Sequence, residues 1–269
     1  MKTRILVGIG LVFLLAAMFL LGPWFRAIAF TAAALISIYE MDQVFRAKGH
    51  RICTWPLYAI GALYGLAFLP NAGLSALGLC LLLCPLALCV ERVCNPRRTM
   101  EDTICSLFVC IYPLGFYVML AMVASHSACL LLLCFTGPLL GDTAAYFIGS
   151  ALGKHKLCPH ISPKKTVEGS VGGFFGGALG GLLAYAVGRY VPGVDWGLLP
   201  ALGQALVLGL ICGGIGQIGD LFASTIKRWA GIKDYGKIFP GHGGMMDRLD
   251  SVLMCGPVVY LCMALALGI

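Results

Sequence analysis

Apolar runs of about 20 residues, the length needed to cross the roughly 30 Å hydrocarbon core of a bilayer as a helix, recur along the whole of this chain. Backbone polar groups inside lipid must be satisfied within the spanning structure, so such a chain folds as a bundle of helices. Nine runs read as spans: 5–21, 24–39, 55–69, 73–90, 104–123, 128–148, 170–189, 198–219 and 252–267. Turn signals such as Gly22-Pro23 and Pro70-Asn71 separate some of them. The alternative is a soluble domain with a large core. It fails on charge: 12% of the chain is charged, where a soluble domain carries about 25%. The expected fold class is therefore all-α, a polytopic integral membrane helical bundle of about nine transmembrane helices. Positions 1–103 hold the first four spans and 104–269 the other five, within what reads as one structural domain.

The distribution of charge gives an orientation. Of the 19 Lys and Arg residues, all but Arg26 and Arg189 fall in the N-terminus, in the loops that begin at Glu40, Glu91 and Gly149, and in the stretch 220–251. With nine spans these segments share one face, and the positive-inside rule makes that face, with the N-terminus, cytoplasmic. The same rule accounts for the net charge of +7. There is no RGG tract and no basic platform interleaved with aromatics, so nucleic acid is not an expected partner. Most of the 13 cysteines (Cys80, Cys84, Cys89, Cys105, Cys110, Cys129, Cys134, Cys212, Cys255 and Cys262 among them) lie inside apolar runs and no CxxC pair exists. They read as packing residues, not as a disulfide frame or zinc site. The first run reads as a retained span, since no small-x-small cleavage site follows it. The short length and lack of a targeting extension favour a bacterial cytoplasmic membrane. In the seventh span, Gly172-Gly173, Gly176-Gly177 and Gly180-Gly181 repeat every four positions. Small residues at that spacing let helices approach closely, inside the bundle or between two copies, so a homodimer stays open.

Chemistry concentrates in three polar constellations on the inferred cytoplasmic side. One is Gly141-Asp142 in the sixth span. Another is the loop 154–169, with Ser162-Pro163-Lys164-Lys165-Thr166. The third, 220–251, holds four of the 12 acidic residues and five of the 19 basic ones. Ionisable groups are costly near lipid and by default mark a functional site. For Asp142 a structural hydrogen bond to a neighbouring helix is the competing account. If the eighth span continues as helix past Gly219, Asp220, Ser224 and Lys227 share one face at i, i+4 and i+7. Asp247 and Asp250 follow at the start of the ninth span, where a helix dipole alone favours a carboxylate. Carboxylates hold magnesium shared with substrate phosphates, and Lys and Arg hold phosphate oxygens. That mixture suits phosphoryl or nucleotidyl transfer, with a merely solvated charged loop as the bland alternative. Soluble nucleotide motifs are missing. Gly149-Ser150-Ala151-Leu152-Gly153-Lys154-His155 is one residue short of a P-loop and lacks its Ser/Thr.

The pattern Ser224-x-Ile226-Lys227-Arg228-x4-Lys233-Asp234-x-Gly236-x2-Phe239-Pro240-Gly241-His242-Gly243-Gly244-x2-Asp247-Arg248-Leu249-Asp250 resembles the signature of the phosphatidate cytidylyltransferase (CDP-diacylglycerol synthase) family. The segments around Asp142 and Lys164-Lys165 look like that family too. The first hundred residues match only as apolar spans. The resemblance implies magnesium-dependent transfer of the cytidylyl group of CTP to phosphatidic acid, giving CDP-diacylglycerol and pyrophosphate for phospholipid biosynthesis, at a site facing the cytoplasm. It implies Asp220 and Asp247 as metal ligands, with Asp142 or Asp250 as further candidates and a second cation nearby. Asp220, Asp247, Lys227 and Arg248 would be catalytic. Lys164, Lys165, Ser224, Arg228, Lys233, Asp234, His242, Gly243 and Gly244 would bind substrate. One departure is Ala223, where many relatives have Glu.

Two other readings stay open: a CTP-dependent polyprenol or lipid kinase, and an ion-coupled transporter using Asp142 and Asp220. The transporter is disfavoured because charge gathers at one face and no inverted repeat is evident. Asp247→Asn is expected to abolish nucleotidyl transfer in a protein that still folds. Wild-type turnover in that variant would remove Asp247 from the metal ligands.

Overall fold

A computed structural model describes residues 2–64 and 74–267, which are mostly helical. The Pro70-Asn71 turn and positions 65–69 of the third expected span lie outside these residues. The helices are α1 (Lys2–Leu20), α2 (Pro23–Arg46), α3 (Thr54–Tyr64), α4 (Leu74–Cys94), α5 (Met100–Val109), α6 (Phe116–His126), α7 (Ala128–Leu152), α8 (Val167–Tyr190), α9 (Leu202–Ala230) and α10 (Met246–Leu267). A two-stranded antiparallel hairpin, β1 (Lys156–Cys158) and β2 (Ser162–Thr166), stands between α7 and α8. Among the described residues, six helical segments are long and apolar enough to cross a membrane: Pro23–Arg46, Met100–His126, Ala128–Leu152, Val167–Tyr190, Leu202–Ala230 and Met246–Ala266. The chain is thus an integral membrane protein built as a helical bundle. It divides into two compact units, one made of 1–125 and 229–248, the other of 126–228 and 249–269.

In the first unit, Met100–His126 is interrupted by a π-helical turn, Cys110–Gly115, where Tyr112 leaves helical geometry (φ −124°, ψ 112°). Pro113 follows it and has no N–H for a helical bond. Buried Tyr117 organises the surroundings. Its hydroxyl lies 2.9 Å from Ser37 Oγ, and the Tyr64 hydroxyl donates to its carbonyl. The rings of Phe30 and Tyr64 meet it edge-on. Buried phenols of this kind need polar partners. At the helix ends, Thr99 and Asp102 form a reciprocal capping box. Asp102 Oδ1 also accepts the Arg51 N–H at 2.7 Å, and Ser106 Oγ accepts the Cys53 N–H at 2.8 Å. The loop after α2 is thereby fastened to α5.

The second unit is organised by the glycines of α8. Gly176 and Gly180 lie against Leu140, Ala144 and Thr136 of α7, while Gly177 and Gly181 lie against Gly209, Gly213 and Ala205 of α9. A Cβ on Gly177 would sit 2.6 Å from the Gly213 Cα, and one on Gly180 2.7 Å from the Gly137 Cα. The ladder read from the sequence is therefore two glycine faces, each filled by a helix of the same chain. The Thr136 hydroxyl donates to the Gly180 carbonyl at 2.8 Å across the seam between α7 and α8. Such contacts rest on dispersion and polar bonds, because lipid supplies no hydrophobic drive between spans. The described cysteines are free thiols, several of them buried. Cys129, for instance, donates to the Ala184 carbonyl at 3.4 Å.

Gly177→Ala should lower the thermal midpoint in detergent, because forcing extra volume into a packed seam costs about 1–3 kcal/mol. Gly203, with nothing near its Cβ position, gives the control. There Ala should leave the midpoint unchanged or raise it, by up to about 1 kcal/mol of helix propensity.

Candidate functional site

The second unit carries a cleft of about 490 Å³ lined by Asp142 and Tyr146 of α7, Lys164 and Lys165 of β2, and Gln217 and Asp220 of α9. Glycines bring these elements together. Gly141 immediately precedes Asp142, and its Cβ position is 3.1 Å from the Gly173 carbonyl and 3.2 Å from the Gly213 Cα. Gln217 Nε2 donates to the Ser170 carbonyl at 3.2 Å and the Gly213 carbonyl at 3.0 Å, joining α9 to the start of α8. Lys165 Nζ lies 2.5 Å from Asp220 Oδ2. Asp142 opens into the same space. Two carboxylates thus line a cleft in which one of them already carries a tethered cation.

The hairpin that delivers Lys164 and Lys165 is held at its base. Thr166 ends β2 and caps α8, its hydroxyl accepting the Gly169 N–H at 3.1 Å. Gly149, Gly153 and Gly169 surround that hydroxyl, and a Cβ on any of them would crowd it. The Glu168 carboxylate accepts the Lys154 N–H at 3.1 Å and the His155 N–H at 3.3 Å, and meets His155 Nδ1 at 2.6 Å. The last two amides of the P-loop lookalike, those of Lys154 and His155, are therefore already bound to Glu168.

α9 is helical through Ala230, so Asp220, Ser224 and Lys227 do share one face. At 29 residues it is about 44 Å long, against a hydrocarbon core of about 30 Å. Ser224 and Lys227 are each 9% exposed, whereas Arg228 is exposed. Ala223 is fully buried. A Glu there would need a polar partner, which Ala does not. Asp250, on the α10 stretch of this unit, is buried, and its Oδ1 accepts the Ser251 N–H at 2.8 Å.

The first unit contains the remaining candidates, in the segment leading into α10. Lys233, Asp234 and Arg248 are exposed, and His242 is half-buried. Gly241 and Gly243 have φ of +78° and +81°, a conformation that favours glycine. The His242 N–H donates to the Phe239 carbonyl at 2.8 Å, and Phe239 and Gly243 pair as a short bridge. Asp247 Oδ2 accepts the Tyr235 N–H at 2.8 Å and the Gly244 N–H at 2.9 Å. Asp247 therefore orders the backbone of the signature loop.

Sequence reading missed Glu40. It lay in an expected loop, but α2 continues to Arg46, and Glu40 is 1% exposed inside it. Its Oε1 accepts the Met245 N–H and its Oε2 the Met246 N–H, each at 2.8 Å. The available signal was a carboxylate directly abutting an apolar run.

A divalent cation is compatible with the cleft. An ammonium group already stands in for one on Asp220, and Asp142 faces the same space. Among the described residues, no group of three or more His, Cys, Asp or Glu gathers to hold a metal unaided. Magnesium commonly takes one or two carboxylates and completes its shell from phosphates and water, so the donor set fits that mode.

Comparison with known proteins gives a consistent result. The model of the cytidylyltransferase family matches residues 2–266. A phosphatidate cytidylyltransferase of Staphylococcus saprophyticus is 37% identical over 167 residues, 62% of this chain and 61% of that protein. One of Aquifex aeolicus is 40% identical over 159 residues, 59% of this chain and 56% of its own. One of Bacillus subtilis is 42% identical over 124 residues, 46% and 43% respectively. The matches thus span less than two thirds of these relatives' own length.

Thr166→Ala should cost about 1 kcal/mol through loss of the α8 cap, read as a lower thermal midpoint in detergent. An unchanged midpoint would show that the hairpin base is held without it.

Proposed function

This chain belongs to the cytidylyltransferase family, and on that premise we propose that it transfers the cytidylyl group of CTP to phosphatidic acid, giving CDP-diacylglycerol and pyrophosphate. The observation that carries this reading is the cleft in which Lys165 bridges to Asp220 beside Asp142. It combines carboxylates of the kind that hold a cation with ammonium groups of the kind that bind phosphate, on apolar helices and the hairpin between them. A substrate with a charged head and two acyl tails requires that juxtaposition.

The bond that forms joins a phosphate oxygen of phosphatidic acid to the α-phosphorus of CTP. The bond that breaks joins that phosphorus to the oxygen bridging to the β-phosphate, and pyrophosphate leaves with the electron pair. A phosphate monoester has its second pKa near 6, so the nucleophile is largely deprotonated at neutral pH and needs no strong base. The obstacle is repulsion between two anions. Lys164 and Lys165 supply positive charge within the cleft, and Lys227 supplies it on the Asp220 face of α9. Positioning and neutralisation of charge are the main tasks in this chemistry. We assign Asp220 and Asp142 as the carboxylates that would hold Mg2+ in the cleft. An ion held there would supply neutralisation of charge on the reacting phosphates and Lewis-acid polarisation.

The finer topology is part of the same proposal. Helices α1, α3 and α4 complete a nine-span bundle with the six longer segments, and the N-terminus and cleft face the cytoplasm of a bacterial inner membrane. The asymmetry of Lys and Arg supports this arrangement, and it brings CTP and acyl chains to the reaction from their own phases.

The test uses purified protein in detergent with phosphatidic acid, Mg2+ and CTP labelled at the α-phosphate. Label is expected in the lipid product, with pyrophosphate released in equal amount. Lipid labelled only from γ-labelled CTP would make the protein a kinase, and absence of either transfer would overturn the enzymatic reading.

A further inference from the structure

Glu40 is buried in α2, and among the described residues it forms no salt bridge. A carboxylate that deep without a cation needs strong hydrogen bonds in compensation. It receives them from the backbone of a segment some two hundred residues away, the N–H groups of Met245 and Met246 where α10 begins. Those are two of the N–H groups that a helix start leaves unpaired, and the helix dipole favours a negative charge there.

The contact is shaped from both sides. Gly236 and Gly244 lie directly against the carboxylate. A Cβ on Gly244 would stand 2.6 Å from Glu40 Cδ, and one on Gly236 3.0 Å from it. Both glycines belong to the sequence pattern that ends in Asp247 and Asp250. Asp247 closes the same loop from within, through the Tyr235 and Gly244 N–H groups. Two carboxylates thus grip the backbone of 235–247 at neighbouring points, Glu40 at residues 245 and 246 and Asp247 at 235 and 244.

We propose that Glu40 is a positioning residue for the signature loop, setting the Gly243-Gly244 backbone and the Asp247 carboxylate, which the family resemblance implies to be catalytic. It touches no reacting atom. Its part in catalysis rests on the function proposed above, whereas its hold on the loop does not. Glutamine is nearly the same size but can accept only one of the two N–H groups and presents an NH2 to the other. Glu40→Gln should therefore loosen the loop without emptying the space.

The experiment has two arms. Hydrogen exchange read by mass spectrometry on purified full-length protein should show faster exchange over 235–248 in Glu40→Gln, with α7 and α8 unchanged. In the transfer assay kcat should fall about 100-fold, the scale expected of a roughly 1 Å misplacement, with KM for CTP changed less than threefold and Glu40→Asp recovering part of the loss. If Glu40→Gln fails to fold, Gly244→Ala, which intrudes on the same carboxylate from the loop side, takes its place in both arms. Wild-type exchange over 235–248 in the folded variant overturns the positioning claim. So does faster exchange there with wild-type kcat. A wild-type protein that transfers nothing overturns the functional reading instead, and the exchange arm still decides whether Glu40 holds the loop.

Discussion

Close approach of three helices at glycine is the constraint on which the second unit depends. α8 offers one small-residue face to α7 and another to α9. Backbones thereby come near enough for Asp142 and Asp220, on different helices, to line one cleft. Any side chain at Gly177 or Gly180 would push a helix outward and carry a carboxylate with it. The low content of polar groups along these spans leaves few other ways to fix the separation. Tight packing and placement of the reactive groups are therefore a single requirement on the sequence.

Much of this was legible beforehand because the underlying patterns are local. Runs of apolar residues mark helices wherever they fall, and the described helices occur where such runs are. The shared face of Asp220, Ser224 and Lys227 was conditional on helix continuing past Gly219, and α9 meets that condition by running through Ala230. The asymmetry of charge placed Asp142, the Lys164-Lys165 segment and Asp220 on one inferred face of the membrane, and all of them line the cleft. The β1–β2 hairpin was not legible. Ser162-Pro163-Lys164-Lys165-Thr166 has neither apolar alternation nor a strong turn, and it pairs through backbone bonds to an equally unpatterned partner. The interruption at Tyr112 was also hidden, since Pro113 sits within an otherwise unbroken apolar run.

Glu40 shows a different limit. Charge at the end of a hydrophobic run normally signals the water boundary, and that rule places Glu40 in a loop. The rule fails because the group's partners are backbone amides of a remote segment, and amides leave no mark in a sequence. Gly236 and Gly244 carried half of the message, for glycine at a fixed place can mean that something must come near. The identity of what comes near needed coordinates. Asp247 is similar: its two bonds to the backbone give it a structural duty that residue type and spacing do not reveal.

Lys165 makes Asp220 a site with its own counter-ion on a leash. A free ion lost from a carboxylate diffuses into bulk, but a tethered ammonium stays within a side chain's length. Whatever displaces it from Asp220 therefore exchanges with it and leaves it mobile beside the newcomer. If the newcomer carries both a cation and an anionic group, the released ammonium meets the anion at once. The cleft would then behave as an ion exchanger that favours paired over single ions, its resting charge balanced by the chain itself.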